Sequence, residues 1–121
     1  MKGFAFAAAA AFGLLLSTQA LAAGKQDFTL VNKTGYEIDQ VYVSKSNASD
    51  WGDDILGKDT MDNGTSEEIE FEPKDSTCKW DLMVVWTDKT KAEWEGINLC
   101  ETNTVTIKYD RKTDKASVDL K

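Results

Sequence analysis

Alternating apolar and polar side chains mark the centre of the chain as a β-hairpin. Every second residue from Cys78 to Trp86 falls on one face of the predicted strand, so that this face carries Cys78, Trp80, Leu82, Val84 and Trp86. A charged tetrad follows at 88–91, and a second run extends over 92–99. The pattern predicts two antiparallel strands, with Cys78 and Cys100 at their open ends.

Similar short alternations predict further strands on both sides of this hairpin, at 27–32, 36–44, 68–72, 104–109 and 116–120. Within 36–44 the phase changes between Ile38 and Val41, so we expect a β-bulge near Asp39 and Gln40. About seven short strands without a convincing helix predict an all-β fold. We expect an antiparallel β-sandwich of the immunoglobulin or transthyretin type with one disulfide.

Residues 44–64 form the longest stretch without such alternation and are rich in Asp, Asn, Ser and Gly. The segment from Trp51 to Gly57 favours one helical turn, capped by Ser49 or Asp50 and closed by Gly57. Because a loop of about 20 residues is long for a compact domain, its length favours a functional role.

The first 22 residues have the composition of a secretory signal peptide. Lys2 supplies the positive charge, residues 4–16 are apolar, and Ala20-Leu21-Ala22 matches an A-x-A cleavage site. We expect cleavage after Ala22, one β-sandwich domain over 23–121, and a periplasmic or secreted location. The alternative is a retained amino-terminal membrane anchor.

Net charge narrows the classes of partner. The sequence carries 14 basic and 21 acidic residues, and removal of Lys2 with the signal peptide leaves a net charge of −8. This acidity argues against nucleic acid and against a polybasic hold on a membrane surface, and it favours a basic protein partner or cations. Lys and Glu at the predicted strand edges favour a monomer.

Two cysteines in an exported chain predict a structural disulfide between Cys78 and Cys100. A metal–thiolate pair and a redox pair are the alternatives. Metal would need further soft ligands, although the chain has no histidine and no third cysteine. Redox cysteines are usually close in sequence.

The lack of histidine also argues against a hydrolase triad and against zinc catalysis. No phosphate-cradling motif supports a nucleotide cofactor. Paired carboxylates remain as an acid and base for a small hydrolase, but 21 acidic residues on so short a chain form close pairs by chance. Function must be argued from a site, so we expect no enzymatic activity.

Aspartates in the long loop are candidate ligands for a cation: Asp50, Asp53, Asp54, Asp59 and Asp62. Calcium takes six to eight oxygen ligands, so calcium is the one cofactor that this sequence suggests. The spacing does not match an EF-hand. The alternative is that these aspartates cap turns and keep an exposed loop soluble.

Trp51 and Trp94 are the candidate partner-binding residues. Trp51 lies in the polar loop and Trp94 alternates with two glutamates, whereas Trp80 and Trp86 share the predicted core face. Exposed tryptophans anchor protein or carbohydrate partners. The alternative for both is packing under the loops of a small domain.

Several motifs together resemble a group of small exported bacterial proteins. These motifs are Asn32-x-Thr34-Gly35-x-x-Ile38, Trp51-Gly52-x-Asp54-x-Leu56-Gly57, Cys78-x-Trp80-Asp81-Leu82-x-Val84-Val85 and Gly96-Ile97-Asn98-Leu99-Cys100-Glu101. The resemblance implies a small exported β-domain and transfers no catalytic residue. Some members carry the enzyme name argininosuccinate lyase, but a chain of 99 residues lacks the size and the helical pattern of that enzyme.

These observations predict a small exported, non-catalytic binding module for a protein partner, with an inhibitor or immunity-type role as one form. The alternative is a calcium-binding or calcium-stabilised extracytoplasmic domain that uses the acidic loop.

Overall fold

A computed structural model describes residues 24–121, which form seven β-strands; the predicted signal peptide, residues 1–22, lies outside the described residues. The strands are β1 (Phe28–Lys33), β2 (Ile38–Lys45), β3 (Ser66–Ile69), β4 (Lys79–Trp86), β5 (Lys91–Asn98), β6 (Thr104–Asp110) and β7 (Lys115–Leu120). Over residues 24–121 no helix is long and apolar enough to cross a membrane.

The strands form two sheets that pack face to face, in the orders β3-β1-β6-β7 and β2-β4-β5. The predicted all-β sandwich is therefore confirmed. Neighbouring strands are antiparallel except β1 and β6, which run parallel with Leu30 opposite Val105. Alternation of side chains is the same for both strand directions, so the sequence pattern does not reveal this parallel pair.

The inward faces of the two sheets share one hydrophobic core. Leu30 of β1 and Ile107 of β6 are fully buried on one side, and Val41 of β2 and Val84 of β4 are fully buried on the other. Trp80, Leu82 and Trp86 complete the face of β4 that the alternation predicts. The predicted bulge is also confirmed, because the pairing of β2 with β4 shifts between Ile38 and Gln40.

The predicted disulfide between Cys78 and Cys100 is present, with the two Cα atoms 5.1 Å apart. Cys78 precedes β4 and Cys100 follows β5, so the bond closes the open end of the central hairpin. It joins neighbouring strands of one sheet, whereas the disulfide of immunoglobulin domains joins the two sheets.

The long acidic loop runs along the free edge of β2. The Asp54 carboxylate accepts a hydrogen bond from the Val41 amide at 2.9 Å, and the Ile55 amide donates to the Val41 carbonyl at 2.8 Å. Farther along, Ile38 and Met61 exchange two backbone hydrogen bonds of 2.9 and 2.8 Å. Because an unpaired strand edge invites pairing with another chain, this loop has a structural task as a cover.

The helical turn expected from Trp51 to Gly57 is a hydrogen-bonded turn and not a helix. The Gly57 amide donates to the Asp54 carbonyl at 3.1 Å, and Gly57 takes a φ of 64°, which glycine adopts without steric cost. The loop gains its order from β2 and not from helical hydrogen bonds of its own.

Replacing both Cys78 and Cys100 by serine should lower the free energy of unfolding by about 2–4 kcal/mol, because the open hairpin has more conformational freedom in the unfolded chain. Equilibrium unfolding in urea, with and without reductant, measures this loss. Reductant should shift the midpoint of the wild-type protein toward that of the double variant and leave the variant unchanged. Equal midpoints for the oxidised wild type and the variant would contradict the expectation.

Candidate functional site

A cleft of about 480 Å³ opens at one end of the sandwich, where the β4–β5 hairpin, the β6–β7 hairpin and the β1–β2 connection meet. Three of its lining side chains are aromatic, two are acidic and one is basic. The lining consists of Tyr36, Trp86, Thr87, Asp88, Thr90, Lys91, Ala92, Tyr109, Asp114 and Ala116. Its volume lies in the range of small-ligand sites in proteins.

Two alanines on the edge strands β5 and β7 line this cleft. Ala92 of β5 and Ala116 of β7 are half-buried and pack against the core. The next positions on the same faces are Trp94 and Val118, which also pack against the core. The methyl groups of Ala92 and Ala116 occupy less space than the side chains of Trp94 and Val118, and the cleft lies at the two alanines.

A buried polar network under the cleft fixes two of its aromatic residues. The Asn32 side chain is fully buried, and its Nδ2 donates to the Tyr36 carbonyl at 2.9 Å. Asn32 Oδ1 accepts from the Thr34 amide at 3.1 Å and lies 2.8 Å from the Thr34 hydroxyl. That hydroxyl accepts the Trp86 indole N–H at 3.3 Å. The turn thus holds Tyr36 from its backbone and Trp86 from its ring.

Tyr36 and Tyr109 form the aromatic wall. Their rings meet edge to face, with centroids 5.7 Å apart and planes at 74°, a favourable geometry for aromatic pairs. Tyr36 is 45% exposed, so part of its ring is accessible from solvent. The Tyr109 hydroxyl donates to Asp114 Oδ1, and this hydrogen bond raises the pKa of Tyr109 above its usual value. The wall is accordingly apolar on its ring faces, and the hydrogen bond to Asp114 favours the neutral form of Tyr109.

The β4–β5 turn presents a carboxylate at the rim of the cleft. Asp88 Oδ1 accepts hydrogen bonds from the Thr90 hydroxyl at 2.6 Å and the Thr90 amide at 3.0 Å. These bonds hold the pKa of Asp88 below its usual value, and the bond from the Thr90 hydroxyl has the largest effect. Lys89, with a φ of 75°, completes the turn, and its ammonium lies 3.9 Å from the Asp39 carboxylate. Asp88 is therefore an ionised and oriented acceptor.

The structure does not gather the five aspartates proposed as cation ligands. Within residues 24–121, no set of three or more His, Cys, Asp or Glu side chains is placed to hold a metal ion. One of the five, Asp54, uses its Oδ1 for the Val41 amide and for the Leu56 amide at 3.0 Å. Asp50, Asp53, Asp59 and Asp62 are exposed. Calcium binding by this loop stays a prediction without geometric support.

The two tryptophans predicted as partner anchors differ in their surroundings. Trp94 is half-buried on β5 and packs against the hydrophobic core. Trp51 is half-buried in the loop and is not one of the side chains in contact with that core. Neither residue lines the cleft. A partner-binding role for Trp51 and Trp94 therefore stays a prediction.

Sequence reasoning did not single out the residues of the cleft. Tyr36 follows a turn and Tyr109 ends an alternating strand, so each taken singly has the pattern of an ordinary β-residue. The available signal is the small size of Ala92 and Ala116 at positions of strand-like phase. That signal becomes meaningful once the two alanines are known to line the same cleft.

No protein-family model and no curated protein matches this sequence. A protein from Eubacterium rectale, solved by NMR, has a similar structure, with a TM-score of 0.58 and 15% sequence identity. The match covers 88% of this chain and 93% of that one. At this identity the likeness shows that the two chains share a fold.

Removal of the Asp114 carboxylate should lower the pH at which Tyr109 ionises, because the hydrogen bond to Asp114 is the main cause of its raised pKa. Asp114→Gly suits the test, since Asp114 has a φ of 55° and glycine accepts that conformation. Ring chemical shifts of Tyr109 followed against pH measure the change. An Asp110→Asn variant serves as the control, and an unchanged Tyr109 titration in Asp114→Gly would contradict the assignment.

Asp54→Ala should lower the free energy of unfolding by about 1–3 kcal/mol, because the amides of the buried Val41 and the half-buried Leu56 lose their acceptor. Asp53→Ala, at an exposed neighbour, should change it by less than about 0.5 kcal/mol. Thermal melts of both variants measure this difference.

The same melts, repeated with calcium and with chelator, test the cation hypothesis. Specific binding would raise the midpoint with calcium concentration. We expect equal midpoints in both conditions. A calcium-specific rise that disappears in Asp53→Ala would show that the loop binds the ion and that Asp53 is one of its ligands.

Proposed function

We propose that this protein is a small exported, non-catalytic binding module that engages a protein partner through the cleft at the end of the sandwich. The observation that carries the proposal is the pair of tyrosines, Tyr36 and Tyr109, held in the open mouth of the cleft by anchored turns. Inhibitor and immunity-type roles are forms that such a module takes.

Tyrosine suits a binding surface because it offers a large contact area at a small cost in conformational entropy. Here that cost is reduced further. Asn32 and Thr34 fix the backbone at Tyr36, and Asp114 fixes the hydroxyl of Tyr109. A preordered surface gives more of its contact energy to affinity.

The carboxylates at the cleft support a non-catalytic role. A general acid or base works best with a pKa near the pH of its surroundings. The pKa of Asp88 lies below its usual value, and the Asp114 carboxylate is engaged by the Tyr109 hydroxyl. Asp88 is therefore suited to hold a positive charge in place and poorly suited to transfer a proton.

The disulfide and the predicted signal peptide support a periplasmic or secreted location, since disulfides persist outside the reducing cytoplasm. The net charge of −8 predicted for the mature chain favours a basic partner. Polar outward residues on the edge strand β7, such as Lys115 and Asp119, support a monomer that leaves the cleft free.

Tyr36→Ala combined with Tyr109→Ala should weaken binding of the partner at least roughly tenfold, as expected for aromatic residues at the centre of an interface. The partner is first retained on the immobilised wild-type protein from the exported fraction and then purified. Its affinity for each variant is measured by calorimetry.

Tyr42→Ala is the matched control, because Tyr42 is a half-buried tyrosine of β2 that does not line the cleft. It should change the affinity by less than about twofold. A double variant with wild-type affinity, or a loss seen in Trp51→Ala and not in the cleft variant, would contradict the proposal.

A further inference from the structure

The cleft offers two carboxylate oxygens that the described residues leave without a hydrogen bond. Asp88 uses Oδ1 for Thr90, and Asp114 uses Oδ1 for Tyr109. Among residues 24–121, neither Oδ2 atom accepts a hydrogen bond, and neither carboxylate forms a salt bridge. Each rim aspartate is thus oriented through one oxygen and presents the other.

Aromatic side chains line the same cleft as these two carboxylates. In an edge-to-face pair one ring directs its edge at the face of the other, which leaves further ring face free, and Tyr36 is 45% exposed. The Trp86 indole, fixed through Thr34, forms the floor. Cations are attracted to such faces, and the attraction grows where water is partly excluded.

Lys91 is the one basic side chain of the lining, opposed by two carboxylates. It is exposed and forms no salt bridge within residues 24–121, so its ammonium is free to turn toward solvent. Arg111, outside the lining, lies near enough to Tyr109 for its positive charge to lower the pKa of that hydroxyl. Within the lining itself, two carboxylates against one ammonium favour a cationic group.

We propose that the cleft binds an arginine side chain of the protein partner, its guanidinium stacked on the tyrosine wall and hydrogen-bonded to Asp88 and Asp114. This inference rests on the proposed function and names the group that enters. Arginine fits better than lysine because its planar fork of N–H donors can serve two carboxylates while its face packs on a ring. A lysine ammonium is a compact, strongly hydrated point charge and cannot stack in this way.

Three tripeptides test the proposal by NMR titration of the disulfide-bonded protein: acetyl-Gly-X-Gly-amide with X as arginine, lysine or citrulline. Citrulline keeps the shape of arginine without its charge. The arginine peptide should shift the amide signals of Thr90, Ala92 and Ala116, with a dissociation constant on the order of 1 mM, typical of a single side chain. Lysine should bind at least about threefold more weakly and citrulline at least about tenfold more weakly.

Variants separate the contributions of the charges. Asp88→Asn with Asp114→Asn should weaken arginine binding about tenfold, and Lys91→Gln should strengthen it about twofold. Asp53→Asn, on the exposed loop, is the control and should leave it unchanged. Equal binding of arginine and citrulline, equal binding of arginine and lysine, or shifts that lie outside the cleft would each overturn the inference.

The two proposals fail separately. If the tripeptides leave the cleft signals unmoved while the tyrosine double variant loses the partner, the cleft binds a protein through another group and the arginine inference alone is wrong. If the partner binds the double variant normally, the proposed function is wrong, whatever the peptides do.

Discussion

The buried side chain of Asn32 is the interaction on which most of this structure depends. Its amide nitrogen donates to the carbonyls of Tyr36 and Met61, each at 2.9 Å, and its oxygen accepts from Thr34. A buried amide is tolerated when its donors and acceptor are satisfied, and here each has a partner. One side chain thereby connects β1 with the turn between β1 and β2 and with the loop that covers β2.

The same connection links stability to the candidate site. Thr34, fixed by Asn32, accepts the indole N–H of Trp86, so the last inward residue of β4 is oriented by the turn between β1 and β2. The cleft thus draws its floor and part of its wall from a network that the fold needs in any case. A binding surface built on such a base requires little ordering when a ligand arrives.

The region with the most acidic side chains is not the candidate site. The acidic loop carries five aspartates, yet its ordered carboxylate, Asp54, is used to hold backbone amides beside β2. The cleft has two aspartates, and each keeps one oxygen free of hydrogen bonds within the described residues. Abundance of acidic residues was therefore a poor guide to the site, because what matters is which oxygens the fold leaves available.

The sequence by itself determined the number of strands, the bulge near Gln40, the buried face of β4 and the disulfide, because these follow from local alternation and from the cysteine count. The strand predicted at 68–72 was misplaced, because β3 is Ser66–Ile69, where pairing with β1 and not alternation sets its bounds. Tertiary structure decided the parallel pairing of β1 with β6 and the use of the acidic loop as an edge cover. It also decided the cleft. Tyr36 and Tyr109 are far apart in sequence and meet because two hairpins and a crossing turn end at the same place, which no local pattern records.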